Sequence, residues 1–218
     1  MKQSAIISET LVPEPPHIIG HQSSVLNKIS DPVVNLVVWQ RPTQTMVAAE
    51  LLTLRSSDPS DMRCPTSLAS FDDDVTSLLR QQSLDPSVFK NWSTDLRRLA
   101  DIYFRVSESR NVTMRLETTN DDGCRRFHVD RTNLRLICTY RGPGTQWLHN
   151  EQVNRQAQRA GATNGDIIRF GEPSEIAPFW VGILKGSKYP GSAGQGLVHR
   201  SPPIAESGQT RVVFCLDC

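Results

Sequence analysis

A chain of 218 residues with an ordinary apolar content of 38% is long enough to bury a core without help from disulfides. Its net charge of +1 offers no bulk attraction to nucleic acid or to an anionic membrane. No stretch approaches the roughly 20 apolar residues that span a bilayer. The opening MKQSAIISETLVPEPP has no sustained apolar run of the secretory kind, so a cytoplasmic chain is the expectation.

In chain order, residues 1–30 are polar, carry Pro13, Pro15 and Pro16, and read as a loosely structured segment ahead of a single domain over 31–218. The β-branched run Val33 to Trp39, stopped by Pro42, predicts a strand. Residues 56–74 read as a turn-rich linker. Asp74 is then placed to cap a short helix reaching Gln81, and Asp85-Pro86 to open a longer one, since proline is tolerated at the first helical position. Val88, Trp92, Leu96, Leu99, Ile102 and Tyr103 recur every three or four residues, giving that helix one apolar face as far as about Val106.

From Val112 the period becomes two, in Val112, Met114 and Leu116 and again in Leu134, Leu136, Cys138 and Tyr140. Turn signals separate such runs at Asp122-Gly123, Gly142-Pro143-Gly144 and Asn164-Gly165. The expected fold is α+β, with N-terminal helices and one strand over 31–110 packed on a C-terminal β-sandwich or small barrel over 111–218.

Phe127-His128-Val129-Asp130 carries the most chemistry. Residues two apart on a strand share a face, so His128 and Asp130 can grip one cation. His199 supplies a second imidazole, and two histidines with one carboxylate on one side of a metal leave open positions of the kind Fe(II) oxygenases use. The pair alone is a weak signal, and its plain structural reading is a surface strand on which Asp130 meets Arg131. Arg211 opens the alternating run to Asp217, and its fork suits a carboxylate. Gly165 to Phe170 reads as a tight turn feeding a buried strand.

This order, His128-x-Asp130, a late His199, Pro202, Pro203, Gly208 and Arg211, resembles the Fe(II)- and 2-oxoglutarate-dependent dioxygenases over residues 112–217. The resemblance implies a double-stranded β-helix of jelly-roll or cupin type. It also implies His128, Asp130 and His199 as iron ligands, with Arg211 pairing the far carboxylate of 2-oxoglutarate. Two departures stand out: one extra residue separates Gly208 from Arg211, and Val213 occupies a place where the family often has a hydroxyl. The segments CRRFHVDR, LICTYRGPGTQWL and GLVHRSPP also resemble an uncharacterised bacterial family linked to zinc-responsive gene neighbourhoods, over about residues 20–218. That resemblance implies the alternative of a non-catalytic zinc protein acting in metal homeostasis, because the same three ligands hold zinc. A small-molecule or protein substrate stays open.

Other candidates carry less. Tyr140, Thr145 and Trp147 flank a glycine turn read as a hairpin at the barrel mouth, where they and Arg200 are candidate pocket residues. Five cysteines at irregular spacing argue against a disulfide framework, and the two glycosylation sequons at Asn91 and Asn111 then count as chance matches. Cys215 and Cys218 form a C-x-x-C that would need Cys124 or Cys138 to complete a zinc cluster. The arginines at 125, 126, 131, 135 and 141 suit either an anionic substrate or solvent-facing strand positions. His17, His21 and His149 read as exposed. No Gly-x-Ser-x-Gly or zinc-protease motif appears, which argues against a standard hydrolase.

Overall fold

The computed structural model describes residues 16–55, 61–121, 123–191 and 194–218. Strand β1 (His17–Gly20) leads through a 3-10 helix (Ser23–Ser30) to β2 (Leu36–Trp39), α1 (Thr45–Leu51) and β3 (Met62–Thr66). The helical stretch follows as α2 (Phe71–Gln81), a 3-10 turn (Pro86–Phe89) and α3 (Lys90–Ser107). Asp85 accepts a hydrogen bond from the Ser87 N–H and so starts the turn that feeds α3. Trp92, Leu96, Leu99 and Tyr103 are fully buried along α3, as their spacing predicts, whereas Val88, still in the 3-10 turn, is exposed. Asp74 lies inside the first turn of α2 rather than capping it, and its carboxylate accepts from the Thr66 hydroxyl at 2.7 Å.

The β half runs β4 (Val112–Thr119), β5 (Leu134–Arg141), β6 (Thr145–Trp147), α4 (Arg155–Arg159), α5 (Asn164–Ile167), β7 (Ser174–Ile176), β8 (Val181–Lys185), β9 (His199–Arg200) and β10 (Arg211–Asp217). Seven strands form one sheet in the order β1-β2-β8-β5-β10-β4-β3, with β1 and β2 parallel and the other neighbours antiparallel. Three more form a second sheet, β7-β6-β9. The helices cover one face of the large sheet through a core that includes Trp92, Tyr103, Leu136 and Phe214. The small sheet covers the other face through Trp147, Ile176, Ile137 and Val213.

The fold is therefore mixed α+β with two facing β layers, but helices and strands do not segregate along the chain. Strands β1, β2 and β3 all come from the first third and join the large sheet. Residues 17–30, expected to be loosely structured, form β1 and a 3-10 helix, and residues 62–66 of the expected linker form β3, while residues 56–60 lie outside the described residues. The expected buried strand after Gly165 is the short helix α5, which leaves Phe170 exposed. Gly142 to Gly144 is not a hairpin turn: β5 and β6 belong to different sheets, and the chain crosses between layers there. No helix among the described residues is long and apolar enough to cross a membrane.

Candidate metal centre

His128 lies on no continuous strand. Its backbone exchanges two hydrogen bonds of 3.0 Å with that of His199, an antiparallel bridge that extends the small sheet by one residue. His199 is in turn paired with Trp147 of β6. The bridge sets the two imidazoles on one side with ring centroids 4.7 Å apart. Asp130 follows two residues on, and its carbonyl accepts the Ser187 N–H at 2.8 Å. Gly186 makes that approach feasible, because a Cβ there would collide with the Thr132 carbonyl oxygen and stand 2.8 Å from that of Asp130.

His128, Asp130 and His199 are the group of potential metal ligands that the described residues bring together, with ligand atoms all within 4.8 Å of one another. Nδ1 of His128 is 2.8 Å from the Arg126 carbonyl oxygen, and Nδ1 of His199 is 3.2 Å from that of Leu197. A ring that donates Nδ1–H to a carbonyl keeps the Nε2 lone pair for a metal. Those Nε2 atoms lie 3.4 Å from Asp130 Oδ1 and 3.2 Å from Oδ2. Neighbouring ligands about 2.1 Å from one ion stand roughly 3 Å apart, so the set fits a metal with small adjustments. Asp130 Oδ2 is also buried with no hydrogen bond directed at it, although Arg135 Nη1 lies 2.7 Å away as a counter-charge. That is the state of an oxygen suited to a cation.

Burial alone would raise the Asp130 carboxyl, but His199, His128 and Arg135 outweigh it and hold the group far below the usual carboxylate range. Burial lowers the His128 imidazole, and the Asp130 carboxylate and Arg126 carbonyl more than reverse this, leaving it raised. Arg135, an arginine that reads from sequence as one of a cluster, is the structural partner of the site. It forks onto Asp217 at 2.6 and 2.8 Å while also meeting Asp130. Its position opposite Asp217 on β10 follows from the β5–β10 register. Arg125, Arg126 and Arg131 are exposed, and Arg141 turns to the carbonyls of Leu51 and Leu54.

A cavity of about 70 Å³ opens beside the triad, between the large sheet and the loops around Gly123 and Ser201. Thr145, Arg200 and Arg211 line it together with His128 and His199. Arg211 is 3% exposed and donates to the Pro143 carbonyl at 3.0 Å and the Thr145 hydroxyl at 2.7 Å. Among the described residues no carboxylate pairs with it, and burial pushes its guanidinium down to about 10. Tyr140 and Trp147 do not belong to the cavity. Side chains alternate across β5, so Tyr140 faces the helices and donates to Asp95 at 2.7 Å. Trp147 packs in the inter-sheet core against His17 and His149, which are half-buried rather than exposed.

No cysteine cluster forms among the described residues. Cys215 and Cys138 occupy opposite faces of the sheet, since Phe214, not Cys215, is the register partner of Cys138. Arg115 and Glu117 of β4 also line the cavity, which sequence reasoning missed. The available signal was the run β10, apolar on both faces and so covered on both, whose neighbours' polar alternates must then face an interior space.

Two facing β layers with a two-histidine, one-carboxylate group resemble the jelly-roll architecture of Fe(II)/2-oxoglutarate dioxygenases. The structure is similar to that of the dioxygenase for auxin oxidation from rice, with TM-score 0.53 and 14% identity over 94% of this chain and 82% of that one. It is similar also to dioxygenase for auxin oxidation 1 from Arabidopsis thaliana, in its complex with 2-oxoglutarate, with TM-score 0.53 and 11% identity over 93% and 91%. At such identities the likeness is one of fold. No curated protein matches the sequence. The chain belongs to the family DUF1826, proteins of unknown function, whose model matches residues 20–217.

Proposed function

We propose that this protein is an Fe(II)- and 2-oxoglutarate-dependent oxygenase. The observation that carries the reading is Arg211, a buried cation without a carboxylate partner in the cavity that the triad borders. Burying a charge is costly unless a counter-charge arrives, so the position is explained by an anionic ligand. His128, Asp130 and His199 would hold the iron. When bound, iron and 2-oxoglutarate supply the reducing equivalents with which dioxygen is activated for substrate oxidation.

The chain's own residues do the rest. Arg211 would hold the far carboxylate of 2-oxoglutarate, and Thr145, which already accepts from its Nη2, would fix the angle of the fork. Val213, Ile137 and Cys215 form a buried floor that keeps water from the site. The Arg126 and Leu197 carbonyls lock both imidazole rings against rotation.

The test is metal content and cosubstrate binding of protein purified without chelators. One iron per chain is expected, with none in His128→Ala or His199→Ala. Arg211→Met should weaken 2-oxoglutarate binding by roughly ten- to a hundredfold while leaving metal content intact. Zinc that resists exchange for iron, with no 2-oxoglutarate binding, would favour the non-catalytic zinc protein instead.

A further inference from the structure

Among the described residues, Arg211 is held by oxygen acceptors that carry no charge. Its Nε donates to the Pro143 carbonyl at 3.0 Å and its Nη2 to the Thr145 hydroxyl at 2.7 Å. The Thr139 and Ser201 hydroxyls stand farther off, at 3.3 and 3.5 Å. The two short contacts both come from residues 143–145, where the chain crosses from the large sheet to the small one. That crossing is tightly seated. A Cβ on Gly142 would stand 2.6 Å from the Thr210 carbonyl oxygen, and one on Gly144 would collide with that of Ile176. Thr145 is also the register partner of Ile176 in β7. The direction of the Arg211 fork therefore depends on how β7 holds this segment.

Strand β7 makes one charged contact with it. The Glu175 carboxylate accepts the Gly144 N–H at 2.5 Å. That N–H and the Pro143 carbonyl are the two ends of a single peptide plane, so fixing one end aims the other. A carboxylate, one amide and the Arg211 guanidinium thus stand in series. Hydrogen bonds in such a chain polarise one another, and the carboxylate draws electron density towards the carbonyl oxygen that Nε faces. We infer that Glu175 is a positioning residue for the cosubstrate, aiming and strengthening the Arg211 fork through the Pro143–Gly144 peptide. This rests on the oxygenase reading above, in which Arg211 holds the far carboxylate of 2-oxoglutarate. Glu175 is exposed and does not line the cavity, so it reaches the ligand only through Arg211.

The experiment is calorimetric titration of the zinc-loaded full chain with 2-oxoglutarate. Zinc keeps the complex inert, so the readout is binding and not turnover. Glu175→Ala should weaken binding about tenfold, and Glu175→Gln, which keeps an acceptor oxygen without the charge, about threefold. Both variants should still bind one zinc per chain, because Glu175 does not touch the triad. Arg211→Lys keeps the cation but has no Nε–H to offer the Pro143 carbonyl. In that background Glu175→Ala should change the affinity less than about twofold, since its route to the ligand is already cut. A contact that only stiffened an exposed turn would cost the same in both backgrounds. Two results overturn the inference alone: 2-oxoglutarate binds wild type and Glu175→Ala equally well, or the loss in Arg211→Lys is as large as in the parent. Wild-type protein that binds no 2-oxoglutarate overturns the oxygenase reading and the inference together.

Discussion

Arg135 stands between two carboxylates that belong to different parts of the chain, Asp130 of the triad and Asp217 at the end of β10. Without it Asp217 would lose the fork that holds it, and Asp130 would keep only the two imidazoles. Arg135→Met is expected to destabilise the metal-free protein by roughly 3 kcal/mol, the usual cost of removing one partner from a buried ion pair. Zinc should recover part of that loss, because the ion takes over as the counter-charge of Asp130 while Asp217 stays uncompensated. Urea unfolding of parent and variant, each with and without zinc, measures both terms. A gap unchanged by zinc would mean that Arg135 serves Asp217 alone. This residue also marks where the sequence stops being legible. The alternation of Leu134, Leu136, Cys138 and Tyr140 shows that β5 has two faces, but alternation cannot show what covers the second one. Arg135 thus suits either a solvent-facing strand position or an anionic substrate, and nothing local shows that the small sheet and the cavity enclose it and Ile137.

Between elements, the strongest polar tie is on the other side of the sheet. Arg41, just after β2, forks onto Asp95 of α3 at 2.6 and 2.7 Å and donates to the Phe179 carbonyl at 2.6 Å. Tyr140 of β5 donates to the same carboxylate. The network pins α3 to the strands that carry Thr139 and Val181, and through them to the cavity floor. Asp95→Ala should cost about 3–5 kcal/mol by stranding the guanidinium, whereas the paired change Arg41→Met with Asp95→Leu should restore most of it. Chemical denaturation of the three proteins decides this, and equal losses in single and double variants would count against an ion-pair staple. Which elements were legible follows from how local their signals are. The face of α3 repeats within one segment, and β10 is a single apolar run. Strands β1 and β3 are four and five residues long and lie at the two edges of the sheet, where pairing is decided by β2 and β4 far along the chain. Pro65 within β3 reads as a breaker, yet an edge strand tolerates the missing N–H.

At the level of the whole molecule, the triad ties the segment around Asp130 to β9, and protons and a metal ion compete for that tie. Burial lowers His128, but Asp130 and the Arg126 carbonyl raise it above its ordinary 6.5. A histidine raised on folding stabilises the fold fully below its unfolded pKa, and this is lost as pH climbs through the folded value. Asp130 is held far below its ordinary 3.8, so its contribution is present above that value and is lost as pH falls through the lower folded one. The metal-free protein should therefore lose stability through His128 as pH rises above the ordinary 6.5 and through the raised folded value. A metal ion needs the same imidazole neutral, so its contribution runs the other way and grows with pH. At a free metal concentration about a hundredfold above the dissociation constant, binding adds roughly 2.7 kcal/mol. Thermal midpoints across this range should fall with a chelator present and converge with, or cross, rising values in zinc. His128→Ala should flatten the pH dependence of the metal-free protein and abolish the zinc response together. A metal-free midpoint that rises with pH in the parent would mean that the Asp130 carboxylate does not hold His128 protonated in the folded state, and that the geometry linking them belongs to the metal-bound form alone.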